Sequence, residues 1–208
     1  MIELEPDEVR VLGCLIEKEA TTPETYPLTL NSLRLACNQT SSRNPVVAYD
    51  DRTIEAALTT LRERGVTRIV HSVHNRATKY RHVLDEHLRL EPPALALLAV
   101  LMLRGPQTAG ELRTRTERLS PFVSPSDVER ELEALAEREE PLVRVLPRQA
   151  GQKDARWSHL LAGEPQLDAF DPPTERATSR TPTGDRLEAL EARVAELERR
   201  WAALEGDA

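Results

Sequence analysis

Aromatic side chains are nearly missing from this chain, with two Trp, three Tyr and two Phe in 208 residues. The core therefore has to be aliphatic, built from Leu, Val, Ile and Ala in small helical units. Cysteine is as scarce. Cys14 and Cys37 are too few for a disulfide framework or a zinc site, and both fall among apolar residues of predicted helices, where a thiol behaves as a small hydrophobe. A redox pair is the alternative. Long hydrophobic runs are absent too: the longest, Ala94 to Leu103, is far too short to span a bilayer, and the start MIELEPDEVR is acidic, unlike a signal peptide. The expectation is a cytoplasmic protein with no membrane partner.

Catalytic signatures are also lacking. There is no G-x-S-x-G, P-loop, H-E-x-x-H or C-x-x-C, and no acid pair sits in a Gly-rich loop that could frame a cleft. His71 and His74 are close together without a third ligand, which reads as solvated histidines near a turn rather than a metal site. The expectation is a protein that is not an enzyme and carries no cofactor. A surplus of base is missing as well. Net charge is −7, which disfavours coating nucleic acid by bulk charge, but residues 165–208 hold ten acids against six bases, so the preceding residues are only −3. Nucleic-acid binding by a local patch stays open.

What the chain does have is punctuation. In LRGPQTAGELR, Leu103 to Arg113, Gly105 and Pro106 close one helix, and Thr108 opens the next with a T-x-x-E capping box to Glu111. This reads as a helix-turn-helix corner, a tight corner of any bundle being the alternative. Upstream, Pro6, Asp7 and Glu8 start a helix whose buried face is Val9, Leu12, Ile16 and Ala20. Thr29 caps a short helix from Leu30 to Cys37, and the polar loop NQTSSRNP runs from Asn38 to Pro45. A third helix, capped by Asp50 or Asp51, buries Ile54, Leu58 and Leu61 and stops at Gly65. Strands are predicted at Val66 to Val73 and Thr78 to Leu84.

The order then recurs. A helix from Pro92 to Arg104 buries Leu95, Leu98 and Met102, and a second runs from Thr108 to Arg118. A third is capped by Ser126 with Glu129 and buries Val128, Leu132 and Leu135; strands follow at Leu142 to Leu146 and Ala155 to Leu161. KYRHVL, Lys79 to Leu84, aligns with RWSHLL, Arg156 to Leu161, which gives His82 and His159 matching positions and a packing or capping role. The fold class is mainly α with small β-hairpins, an α+β arrangement, and each copy resembles the winged-helix domain. The division is a first winged-helix domain over 1–90, a second over 91–164, a flexible linker over 165–185 and a coiled-coil helix over 186–205.

The corner, the NQTSSRNP loop, the Lys79-Tyr80-Arg81-His82 strand and the stretch LPRQAGQKDARWSHLL, Leu146 to Leu161, resemble the YceH-type family of uncharacterised bacterial proteins over about residues 3–164. The resemblance implies tandem winged-helix domains in the cytoplasm and no activity that can be carried over.

Basic residues decide where nucleic acid would bind. Between Arg64 and Val83 lie Arg64, Arg68, Arg76, Lys79 and Arg81 with no acid, and the second hairpin carries Arg144, Arg148, Lys153 and Arg156 against Asp154. Arg52 on the third helix and Arg43 in the polar loop extend the set. The third helix of the second copy is acidic, with Asp127, Glu129, Glu131, Glu133, Glu137, Glu139 and Glu140, and would repel phosphate. Basic hairpins beside weak reading helices suit backbone contact to double-stranded DNA. In the tail, Leu187, Val194 and Trp201 fall at a and Leu190, Leu197 and Leu204 at d, with Arg at g and Glu at e, so a parallel pair makes complementary bridges. This predicts a homodimer; a helix folded onto its own domain is the alternative. Two functions follow: a dimeric DNA-binding protein with a transcription-regulatory role, or a protein-interaction module whose partner docks on the second domain.

Overall fold

The computed structural model describes residues 3–72, 75–148 and 154–165. Among these, seven α-helices and two small antiparallel sheets make an α+β fold. No described helix is long and apolar enough to cross a membrane.

Helix α1 (Pro6–Thr21) starts where Pro6 fits the first turn and the Glu8 carboxylate accepts from the Glu5 amide. Its run from Glu8 to Ile16 is buried on every side, because α2 (Leu30–Cys37), α3 (Asp51–Glu63) and α5 (Pro92–Arg104) all pack on it. Helix α5 is apolar nearly all round and likewise buried from Ala94 to Leu103. The two cross at Gly13, where a Cβ would lie 3.1 Å from the Leu103 side chain and 3.2 Å from Met102 Cβ; glycine permits that approach. One hydrophobic core joins both halves, running from Leu4 through Leu12, Leu33, Ile54 and Leu61 to Leu98, Leu112, Leu132 and Leu161.

The first sheet has the order β1-β3-β2, with β1 Leu28–Thr29, β2 Thr67–Ser72 and β3 Asn75–His82. The short strand β1, not predicted from sequence, pairs Leu28 with Tyr80 and Thr29 with Lys79. Two residues carry too little alternation to read as a strand. Strand β3 ends at His82 rather than Leu84, because Leu84–Leu88 forms a short helix, α4, that closes on Arg89 in the left-handed conformation.

The second half repeats the order with α5, α6 (Ala109–Arg115), α7 (Pro125–Ala136) and the pair β4 (Val143–Val145) and β5 (Trp157–His159). Gln107 bridges Trp157 just before α6, as Leu28 pairs with Tyr80 just before α2. Gly105 closes α5 at φ +74°, and Thr108 caps α6 in a full box with Glu111. Helix α6 stops at Arg115, three residues short of the expected end, where the Thr116 hydroxyl donates to the Leu112 carbonyl. The cap of α7 is Ser124 with Asp127, not Ser126 with Glu129: Pro125 has the fixed φ of a first helical residue, so the helix begins earlier.

Candidate nucleic-acid interface

The first sheet sorts its side chains by alternation. Tyr80 and His82 face the core, so Lys79 and Arg81 point to the opposite face of β3. The register sets Arg68 opposite Arg81 and Val70 opposite Lys79, which adds Arg68 to that outer face. Two arginines directly across strands repel each other, and a carboxylate from α4 relieves this: Glu86 lies 2.8 Å from Arg68 Nη1 and 3.2 Å from Arg81 Nη2. The sequence interval from Arg64 to Val83 holds no acid, but the helix that follows returns one to it. Such exposed pairs contribute at most about 1 kcal/mol each, so a phosphate can replace the carboxylate. Arg62 and Glu55 of α3 line a groove with Arg68, Ile69 and Tyr80, so the third helix and β2 border one concavity.

The remaining expected contacts scatter. Arg52 is exposed on the first turn of α3. Arg64 caps that helix and is drawn to the N-terminus, donating to the Glu3 carbonyl and lying 3.7 Å from Glu8. Arg76 lies on β3, while Lys153 falls outside the described residues. Arg148 is exposed after β4, and Arg144 pairs with Glu164 at 2.5 Å. Arg156 is half-buried and donates to the Pro106 carbonyl at 3.0 Å and to Glu111 at 3.1 Å, so it ties β5 to the corner. Arg43 requires a correction. Its guanidinium is fully buried, forks onto Glu17 at 3.0 and 2.6 Å, and donates to the carbonyls of Ala36 and Ser42. A side chain so committed fixes the loop and does not reach phosphate.

The aligned histidines differ in their surroundings. His82 is 1% exposed, its Nε2 2.5 Å from Glu19 and its Nδ1 3.5 Å from Asp85, while its amide donates to the Tyr26 hydroxyl. Burial raises the Tyr26 phenol above its usual range. His159 has no carboxylate neighbour and an unpartnered Nδ1, and burial pushes its pKa down to about 4. Cys14 and Cys37 are both buried and free. Burial opposes ionisation of Cys14, but a hydrogen bond from Cys37 and the nearby Arg43 outweigh it and bring that thiol below its ordinary value.

The polar loop and the helix corner, 60 residues apart, meet in space. The Asn44 amide donates to the Leu103 carbonyl at 2.8 Å, the Asn44 side chain to the Arg104 carbonyl at 3.5 Å, and Arg104 Nη2 to Ser42 Oγ at 2.6 Å. Both stretches fall inside a span, residues 4–152, that matches a family described as "Protein of unknown function, DUF480". The chain belongs to the DUF480 family. It is similar to a UPF0502 protein of Geobacter sulfurreducens, 53% identical over 193 residues that cover 91% of this chain and 88% of the relative. A UPF0502 protein of Pseudomonas syringae pv. tomato is 44% identical over 210 residues, 98% and 93% of the two chains. One of Opitutus terrae is 46% identical over 191 residues, 91% and 81%. The YceH-type resemblance is consistent with this membership.

In this DUF480 chain the matched span takes in the hairpin, the loop and the corner alike. Glu86, Glu19 and Asp85 escaped the sequence reading. Glu86 and Asp85 lie on α4, an element that reading took as strand end and connection, and Glu19 meets His82 only through the packing of α1. The six heptad residues, Leu187, Leu190, Val194, Leu197, Trp201 and Leu204, lie outside the described residues.

Proposed function

We propose that this DUF480 protein is a tandem winged-helix protein that binds the backbone of double-stranded DNA, acts in transcriptional regulation, and dimerises through a parallel coiled coil over residues 186–205. The observation that carries the reading is the common outer face of Arg68, Lys79 and Arg81. Three cations on one sheet would suit a row of phosphates, and the twice-repeated order of three helices and a strand pair resembles that of a winged-helix domain. A heptad pair would set two such faces side by side on one duplex.

Titrating a random duplex against salt tests it. Binding is expected at low salt and falls linearly with the logarithm of salt concentration. Exchanging Arg68, Lys79 and Arg81 for Gln is expected to flatten that slope by up to about 3, roughly 0.9 for each phosphate contact, with sequence preference unchanged. Absence of binding at low salt would favour the second reading, a protein-interaction module. That reading is supported by α7, which exposes Glu129 and Glu133 ahead of its exposed C-cap Glu137, and by Val123, 87% exposed in the turn before the helix.

A further inference from the structure

A charged concavity lies away from the hairpin, where the C-terminal half of α1, the 38–45 loop, the end of α5 and the end of α6 enclose a groove of about 870 Å3. Its walls carry Lys18, Arg104, Arg115 and Arg118 against Glu17 and Glu117. Glu17 is forked onto the buried Arg43, Lys18 lies 3.8 Å from Glu17 and Arg115 lies 3.5 Å from Glu111, which leaves Arg104 and Arg118 as the groove cations without a carboxylate partner among the described residues. Arg104 reaches only the neutral hydroxyl of Ser42, at 2.6 Å, with no carboxylate in bonding distance. Its burial, and then the charge of Arg115, hold its pKa below the usual arginine value, with Glu17 offsetting part of the effect. Ser42 is held at φ +61°, in the left-handed region that serine disfavours, and that strained turn carries its hydroxyl beside Arg104. Arg118 is exposed at the rim, and Gln39, whose Oε1 accepts from Arg43, keeps its amide NH2 for a ligand. Val100, Leu103 and Leu119 give the groove an apolar floor.

We propose that this groove binds a small organic molecule carrying at least two negative charges, with its oxyanion groups on Arg104 and Arg118 and its carbon body over the floor. The volume suits a metabolite-sized ligand, and paired guanidinium forks suit phosphate or carboxylate oxygens better than a single charge. The site joins the two stretches that mark the family, so a ligand here bridges the two halves of the chain and stabilises their contact by binding only the folded form. The proposal does not depend on DNA binding.

The full chain is titrated with pyrophosphate and, separately, with citrate, at ionic strength held constant by sodium chloride, following thermal unfolding and heat of binding. A saturable rise in Tm with at least one probe is expected, and the stronger of the two identifies phosphate ester or polycarboxylate chemistry. Arg118→Gln removes an exposed residue and leaves the fold intact; it and Arg104→Gln are expected to weaken binding about tenfold or more. Arg130→Gln makes the same charge change on α7, away from the groove, and is expected to bind as the parent does. Two results overturn the proposal: no saturable rise in Tm with either probe at constant ionic strength, or equal affinity of Arg118→Gln and the parent. If Arg104→Gln fails to fold, Arg118→Gln decides.

Discussion

Arg43 holds together segments that are far apart in sequence. It spans the Glu17 carboxylate of α1 and the last turn of α2, and it closes the loop that touches α5. Replacing it with Met leaves Glu17 with only Lys18, at 3.8 Å, in a partly buried place. Arg43→Met is expected to cost about 3 kcal/mol in urea unfolding; a loss under about 1 kcal/mol would mean that water reaches Glu17 and satisfies it. Sequence alone could not show this, because an arginine among Asn, Gln and Ser looks solvated and its partner lies 26 positions earlier. His159 makes a second residue-scale prediction. Its folded pKa of about 4 lies below the ordinary histidine value near 6.5, so the unfolded chain takes up the proton first. Stability from this group is therefore level above about pH 6.5 and falls as pH drops towards 4, by up to about 1.4 kcal/mol per unit. His159→Phe is expected to remove that slope in unfolding measured across the interval; an unchanged profile would assign the slope to other groups.

Elements were legible in proportion to how locally they are specified. Helix α5 has its expected bounds because Pro92 starts it and Gly105 stops it, and the caps Thr29, Asp50 and Thr108 each accept the amide that their spacing implies. Strands β4 and β5 are shorter than read, and β1 and α4 went unread, since short elements draw their stability from partners rather than from their own pattern. The α1–α5 crossing is tested at Gly13: Gly13→Val puts methyl groups against Leu103 and Met102 and is expected to lower stability by about 1–3 kcal/mol in urea. A neutral outcome would mean the helices separate at no cost. At the hairpin, Glu86→Gln releases Arg68 and Arg81 together. Under the DNA-binding proposal its affinity for a random duplex is expected to rise severalfold at low salt, whereas a fall would place Glu86, not the arginines, on the ligand.

At the scale of the whole molecule, the duplication was readable from KYRHVL and RWSHLL, and the equivalent pairings of Tyr80 and Trp157 give it a physical basis. The shared core was not readable, because nothing in either copy says which face of α1 the other copy covers. For the proposed dimer, sedimentation of the chain with and without residues 180–208 is expected to show loss of dimer mass on truncation; an unchanged mass would remove the coiled coil from the assembly. The Leu4 amide donates to the Leu161 carbonyl at 2.6 Å, and α1 is roofed by α5. Synthesis runs the other way. The first helix leaves the ribosome long before the helix that covers it, which emerges some 90 residues later, and the carbonyl that Leu4 meets comes later still. Until then Val11, Leu12 and Leu15 lack part of their shelter, so a nascent chain of this protein presents a greasy helix to chaperones for several seconds at ordinary translation speeds.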